Sequence, residues 1–204
     1  MSNLTFEKFQ AYTSHLYQID SEFDASQTDR TARHRHLEPE SAQFLASLII
    51  SNHASNVLEI GTSTGYSTLW LAYALQQIAG HRQKSVKLTS IELDNQRLIT
   101  ANNHLMTLGL NAFVALQQAD AKDFLAQSHE AFDLIFLDAE RTLYGEYVAD
   151  FKRLLQFGSM LVVDNVVSHA NEVKAFLAQF ETDDSFLCST LPIGAGLFVA
   201  VKQA

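Results

Sequence analysis

From Asn56 onward the chain alternates apolar runs of strand length with longer amphipathic segments, and this alternation restricts the fold more than any other feature. It is the pattern of a parallel sheet covered by helices on both faces. The strands expected are Asn56 to Ile60, Val86 to Ile91, Ala112 to Gln117, Phe132 to Leu137, Gly158 to Val163, Phe186 to Leu191 and Leu197 to Val201. Helical periodicity falls at about Tyr66 to Ala79, Asn95 to Leu108, Ala121 to Gln127, Tyr144 to Leu155 and Asn171 to Phe180. Only Pro192-Ile193-Gly194-Ala195-Gly196 separates the last two strands, too short a link for a parallel crossover, so they are expected to pair antiparallel.

Before this region, Leu4, Phe6, Phe9, Tyr12, Leu16 and Ile19 recur at helical spacing as far as about Glu22, and a polar stretch follows. Glu38-Pro39-Glu40 reads as a second helix start, with proline in the first turn and acids at the positive end of the helix dipole. Trp70 reads as core, as do Tyr144 and Tyr147, with Tyr144 also within reach of a pocket. A chain of 204 residues with 47% hydrophobic residues can bury one substantial core. A single domain is expected, residues 1–53 forming a helical cap and residues 54–204 an α/β core.

The net charge of −9 disfavours polyanionic partners over the surface as a whole and suits small or cationic ligands. The lone Cys188 forms no intramolecular disulfide and reads as an ordinary buried thiol. No basic stretch followed by an apolar run stands at the N-terminus, and no apolar run approaches the roughly 20 residues of a membrane helix, so a cytoplasmic protein is expected. Arg30-Thr31-Ala32-Arg33-His34-Arg35-His36 is the one dense basic stretch. It reads either as a solvated loop or as one that closes over an acceptor or anionic substrate.

The first strand runs into Glu59-Ile60-Gly61-Thr62-Ser63-Thr64-Gly65-Tyr66-Ser67, a glycine turn opening a helix. Gly61 and Gly65 would let a ligand approach the backbone, although tight turns of this kind also occur without ligands. The spacing differs from the G-x-G-x-x-G dinucleotide fingerprint. Glu92, at the end of the second strand, can accept both hydroxyls of a ribose or stand as a solvated carboxylate. Asp120, Asp138 and Asp164 end the next three strands, so acids gather at the carboxyl edge, where open parallel sheets bind ligands.

These segments, with Phe132 to Tyr147, Leu161 to Asn165 and Leu191-Pro192-Ile193-Gly194, resemble the class I S-adenosylmethionine (SAM)-dependent methyltransferases, and among them the metal-dependent O-methyltransferases of the catechol and caffeoyl-CoA kind. The resemblance implies a Rossmann-like seven-stranded sheet, mostly parallel and closed by an antiparallel C-terminal pair. It implies that Glu59, Gly61, Thr62, Ser63, Gly65, Tyr66 and Ser67 hold SAM, that Glu92 and Leu93 meet its ribose, that Asp120 and Ala121 neighbour its adenine, and that Asp138 borders the same pocket. It places Asp138, Asp164 and Asn165 as ligands of Mg²⁺ or a similar divalent cation, a hard-oxygen donor set that suits such an ion. Taken alone, Asp164-Asn165 would read as a turn or cap.

One departure from the family stands out. The usual Asp-Ala-Asp-Lys is here Asp138-Ala139-Glu140-Arg141, and a guanidinium stays protonated where a lysine could serve as base. Arg141 is therefore expected to stabilise a developing oxyanion, leaving the proton to the metal and to a histidine. His169, four residues beyond Asn165, is the leading candidate; its other reading is a surface histidine at a helix start. The expected function is methyl transfer from SAM to a hydroxyl of a small, catechol-like molecule. Methylation of hydroxyuridine in tRNA and a SAM-binding module with little catalysis remain alternatives, and the first helix, with Phe6, Phe9 and Tyr12, reads either as the interface of a homodimer or as packed on its own domain.

Overall fold

In the computed structural model of the chain, which describes residues 4–29 and 33–204, seven strands form one sheet in the order β3-β2-β1-β4-β5-β7-β6. The strands are β1 (Asn56–Ile60), β2 (Lys87–Glu92), β3 (Val114–Gln118), β4 (Phe132–Leu137), β5 (Leu155–Val163), β6 (Phe186–Leu191) and β7 (Leu197–Lys202). The first five pair parallel, while β7 pairs antiparallel with both β5 and β6, as the short Pro192–Gly196 link requires. The expected fold class is the one observed.

The helices are α1 (Phe6–Ser26), α2 (Pro39–Asn52), α3 (Tyr66–Arg82), α4 (Asn95–Leu108), α5 (Ala121–Gln127), α6 (Tyr144–Leu154) and α7 (Ala170–Glu181). Strand side chains alternate between two apolar layers, as a period of two demands. Val57, Leu134, Phe136 and Val162 join α1, α2, α3 and α4 on one face. Leu58, Ile135, Leu161 and Val163 join α5, α6 and α7 on the other. Helix α3 is buried along most of its length, Trp70 included, which explains its weak amphipathic signal. Tyr144 and Tyr147 are core residues of the second layer, whereas Cys188 is only half-buried.

Several boundaries differ from those read in the sequence, α1 running on to Ser26 and α3 to Arg82, and two of the strand starts have a visible cause. A single 3₁₀ turn at Asn111–Phe113 precedes β3, which begins at Val114 rather than Ala112. Strand β5 begins three residues before Gly158, where its pairing with β4 is irregular and Gly158 takes φ +81°. The exposed Phe157 belongs to this irregular stretch, where regular alternation fails.

The register sets the functional edge. Ile60 pairs with Ile91 and with Leu137, and Leu137 pairs with Val163, so these four residues lie level near the carboxyl ends of β1, β2, β4 and β5. The residues that follow them, Gly61, Glu92, Asp138 and Asp164, therefore share one rim.

Candidate active site

The turn after β1 is fastened to its neighbour strand by Gly61 and Thr62, whose amides both donate to the Ile91 carbonyl at 3.0 and 3.2 Å. Gly61 (φ +100°) and Gly65 (φ +95°) are required by the protein's own packing. A Cβ on Gly61 would lie 1.9 Å from the Asp138 carbonyl oxygen, and one on Gly65 would lie 2.7 Å from the Ala101 Cβ. Close internal contact is therefore a second reason for glycine at both positions, besides the approach of a ligand anticipated from the sequence.

Glu59 faces the first apolar layer and is fully buried. Ser67 donates to one of its oxygens at 2.5 Å; Thr68 and Ser90 donate to the other at 2.6 and 2.5 Å. Burial pushes its pKa up to about 7 despite these hydroxyls. Its visible contacts hold the turn and the start of α3 together. Thr62 joins the same network through Ser90 at 2.6 Å. Tyr66 is likewise buried, its ring stacked 5.0 Å from that of His36.

Glu92 accepts the amides of Ser63 at 2.9 Å, Leu93 at 2.8 Å and Asp94 at 3.1 Å, an arrangement that fixes its carboxylate at the rim. Leu93 itself is exposed. Asp120 caps α5, accepting the amides of Lys122 and Asp123 at 2.8 and 3.3 Å, with Ala121 packed against the second layer.

Across β4 and β5, Asp138, Asp164 and Asn165 converge. The Asp138 amide donates to Ile60 and the Asp164 amide to Leu137, at 3.0 and 3.2 Å. Asn165, at φ +65°, turns its amide group back so that Nδ2 donates to Asp164 at 2.6 Å and to Asp138 at 3.3 Å. Asp164 Oδ1 is buried with no hydrogen-bond partner. Burial, then neighbouring negative charge, raises both acids: Asp138 to about 6, with Glu38 the charge acting on it, and Asp164 to about 8, with Asp138. An orphaned carboxylate oxygen beside a second carboxylate and an amide is a donor set that fits a hard divalent cation. Because the amide oxygen and nitrogen exchange places by a half-turn of the side chain, Asn165 can offer oxygen to such an ion.

The O-methyltransferase family model matches residues 12–203 of this sequence. The chain belongs to that family. With this, the enzyme class expected from the sequence, a SAM-dependent O-methyltransferase, is established. The chain is 32% identical over 175 residues to a catechol O-methyltransferase of Niastella koreensis, a match covering 82% of this chain and 76% of the relative. It is also 32% identical over 145 residues to a catechol O-methyltransferase of Mycobacterium tuberculosis, covering 71% and 61% of the two chains. In fold it is similar to the O-methyltransferase of Bacillus cereus solved in complex with SAH, with a TM-score of 0.77 at 23% identity, over 95% of this chain and 91% of that one.

In this O-methyltransferase, Arg141 stands in the 3₁₀ turn between β4 and α6 and donates through Nε to Glu172 of α7 at 2.7 Å. The carboxylate leaves the other guanidinium nitrogens available. His169 occupies the N-cap position of α7, its amide donating to Asn165 at 3.0 Å and its Nδ1 lying 2.9 Å from Ser168 Oγ. Its side chain makes no hydrogen bond to Asp138, Asp164 or Arg141, so the structure does not join it to the acid cluster.

Glu38 and His36 also lie close to this rim. Glu38, taken as a helix-start acid, makes no capping bond with its side chain and raises Asp138 and Asp164 from across the rim. A Cβ on Gly194 would lie 2.8 Å from Glu38 Oε2, so the Leu-Pro-Ile-Gly segment leaves that carboxylate its space. Of the basic stretch, Arg30, Thr31 and Ala32 lie outside the described residues. The part that follows is only partly solvated: Arg35 is exposed, but the His36 side chain is 4% exposed and its Nε2 lies 2.6 Å from Thr64 Oγ1 in the glycine turn.

Proposed function

We propose that this O-methyltransferase moves the methyl group of SAM to a hydroxyl of a small, catechol-like acceptor, with a divalent cation of the Mg²⁺ type held by Asp138, Asp164 and Asn165. The observation that carries the proposal is the unpartnered Asp164 oxygen beside Asp138 and Asn165, on the rim that also bears the glycine turn. The catechol names of two relatives support the acceptor class. On this reading the chain works as one methyltransferase domain, with residues 54–204 as the binding core and residues 1–53 as a helical cap.

Glu92 receives the ribose hydroxyls, because its carboxylate is fixed by three amides yet keeps acceptor capacity. Gly61, Thr62, Ser63, Gly65 and Ser67 shape the wall beside the donor, Tyr66 supports that wall from the core, and Leu93, Asp120 and Ala121 border the nucleoside end. Glu59 is a positioning residue that acts through Ser67. When bound, the cation lowers the pKa of the acceptor hydroxyl and orients it toward the methyl group. Arg141, tethered by Glu172, presents its remaining N–H groups to the developing oxyanion, and a proton leaving the acceptor passes to His169 or to water.

Turnover of catechol with SAM, followed with Mg²⁺ and with a chelator, tests this reading. Asp164→Asn is expected to lower the Mg²⁺-supported rate by more than roughly 100-fold, beyond the 10–100-fold typical of outer-shell partners. Full turnover in chelator, or an unaffected Asp164→Asn variant, would remove the metal from the proposal.

A further inference from the structure

A second cluster lies on the other side of the glycine turn, between α1 and the segment leading into α2. Asp20 of α1 is buried, with its side chain 10% exposed; the side chains of His34 and His36 are 24% and 4% exposed. His34 Nδ1 lies 3.0 Å from one oxygen of Asp20, and His36 Nε2 lies 3.0 Å from the other. One ligand atom from each residue falls within 4.8 Å of the other two. The approaches are close but poorly aimed, because His34 Nδ1 and Asp20 Oδ2 are buried with no hydrogen-bond partner. An ordinary aspartate–histidine clasp would satisfy those atoms.

The two imidazoles approach different oxygens of Asp20, so the carboxylate lies between them and the three side chains come near the separations of a shared ion. Ligand atoms about 2.0 Å from a tetrahedral zinc stand about 3.3 Å from one another. We propose that Asp20, His34 and His36 form a second metal site, distinct from the oxygen cluster at Asp138, that takes Zn²⁺ or a similar borderline divalent ion. Two imidazoles and one carboxylate are a donor set for such an ion rather than for Mg²⁺.

The surroundings hold the ligands in place. Asp24 accepts the amides of His34 and Arg35 at 2.7 and 2.8 Å, while the rings of Phe23 and Tyr66 stack on His34 and His36 at 4.5 and 5.0 Å. Ser63 donates its hydroxyl to the His34 carbonyl at 2.8 Å, and a bound ion would displace the 2.6 Å hydrogen bond between His36 Nε2 and Thr64 Oγ1. A metal here would clamp the α1–α2 connection onto the donor turn, a structural role separate from methyl transfer.

The test uses the full chain, stripped by chelator and then supplied with excess Mg²⁺ to fill the oxygen cluster. Titration with Co²⁺ is expected to give one equivalent with visible d–d absorption, displaced by Zn²⁺, and at least about 10-fold weaker in His34→Asn and Asp20→Asn. Absence of the band in the wild-type chain overturns the proposal. So does a band that survives His34→Asn but vanishes in Asp164→Asn, since the ion would then sit in the other cluster. Should the variants fail to fold, side-chain nitrogen chemical shifts of His34 and His36 in the wild-type chain decide: both move on Zn²⁺ addition if the site exists, and unchanged shifts refute it.

Discussion

Glu59 shows how a single buried acid can fasten the turn after β1 to the start of α3 and to β2. Three hydroxyls converge on it, and burial still raises its pKa from 4.5 to about 7. Between those values the folded chain keeps a proton that the unfolded chain has lost, so the contribution of Glu59 is complete below pH 4.5 and is lost as pH rises toward 7. Glu59→Gln is expected to flatten that part of the stability–pH curve, measured by urea midpoints across the interval. Asp164 follows the same sign over a window from 3.8 to about 8. Metal-free Asp164→Asn is therefore expected to melt several degrees higher than the native chain at pH 9, since roughly 1 kcal/mol is worth about 2–4 °C at this length; a lower melting point would contradict it. Stability and the proposed metal site are thus opposed at this residue. Gly61→Ala is expected to cost more than about 3 kcal/mol, because the new Cβ would meet the Asp138 backbone at a left-handed φ.

At the scale of elements, much was legible because local chemistry and tertiary structure agree. Asn95–Leu108 and Ala121–Gln127 appear at the bounds the periodicity gives, with Asp94 and Asp120 accepting amides at their N-termini. The start of β5 was hidden because exposed Gln156 and Phe157 interrupt the apolar run, while Ser159 accepts the Gln156 amide at 2.7 Å and stabilises the irregular stretch. The acids ending β2, β4 and β5 could be placed at one rim from strand order alone. Glu38, Asp20 and His36 could not, since their partners lie on distant segments and no periodicity encodes those encounters. Helix α1 is tied down by Phe9, whose ring stacks on Tyr73 at 4.3 Å and meets the edge of Trp70 at 4.9 Å. Phe9→Ala is expected to destabilise the chain by about 3–5 kcal/mol, read as a lower denaturant midpoint. The aromatic residues anticipated as a dimer surface are thus partly spent on the chain's own core, although Phe6 remains half exposed.

For the whole molecule, the sheet gathers the glycine turn after β1 and an acid cluster at one edge, while the net charge of −9 surrounds them with a field that disfavours polyanions. Among the described residues no helix is long and apolar enough to cross a membrane. Turnover on bulk tRNA is accordingly expected to stay below that on simple catechols at equal ionic strength. The most direct measurement of metal-assisted methyl transfer is calorimetric titration of the SAM-loaded chain with catechol, run once with Mg²⁺ and once with chelator. Saturable catechol binding only in the presence of Mg²⁺ is the result predicted from Asp138, Asp164 and Asn165. Equal binding in chelator, or failure of the chain to take up SAM at all, would contradict it.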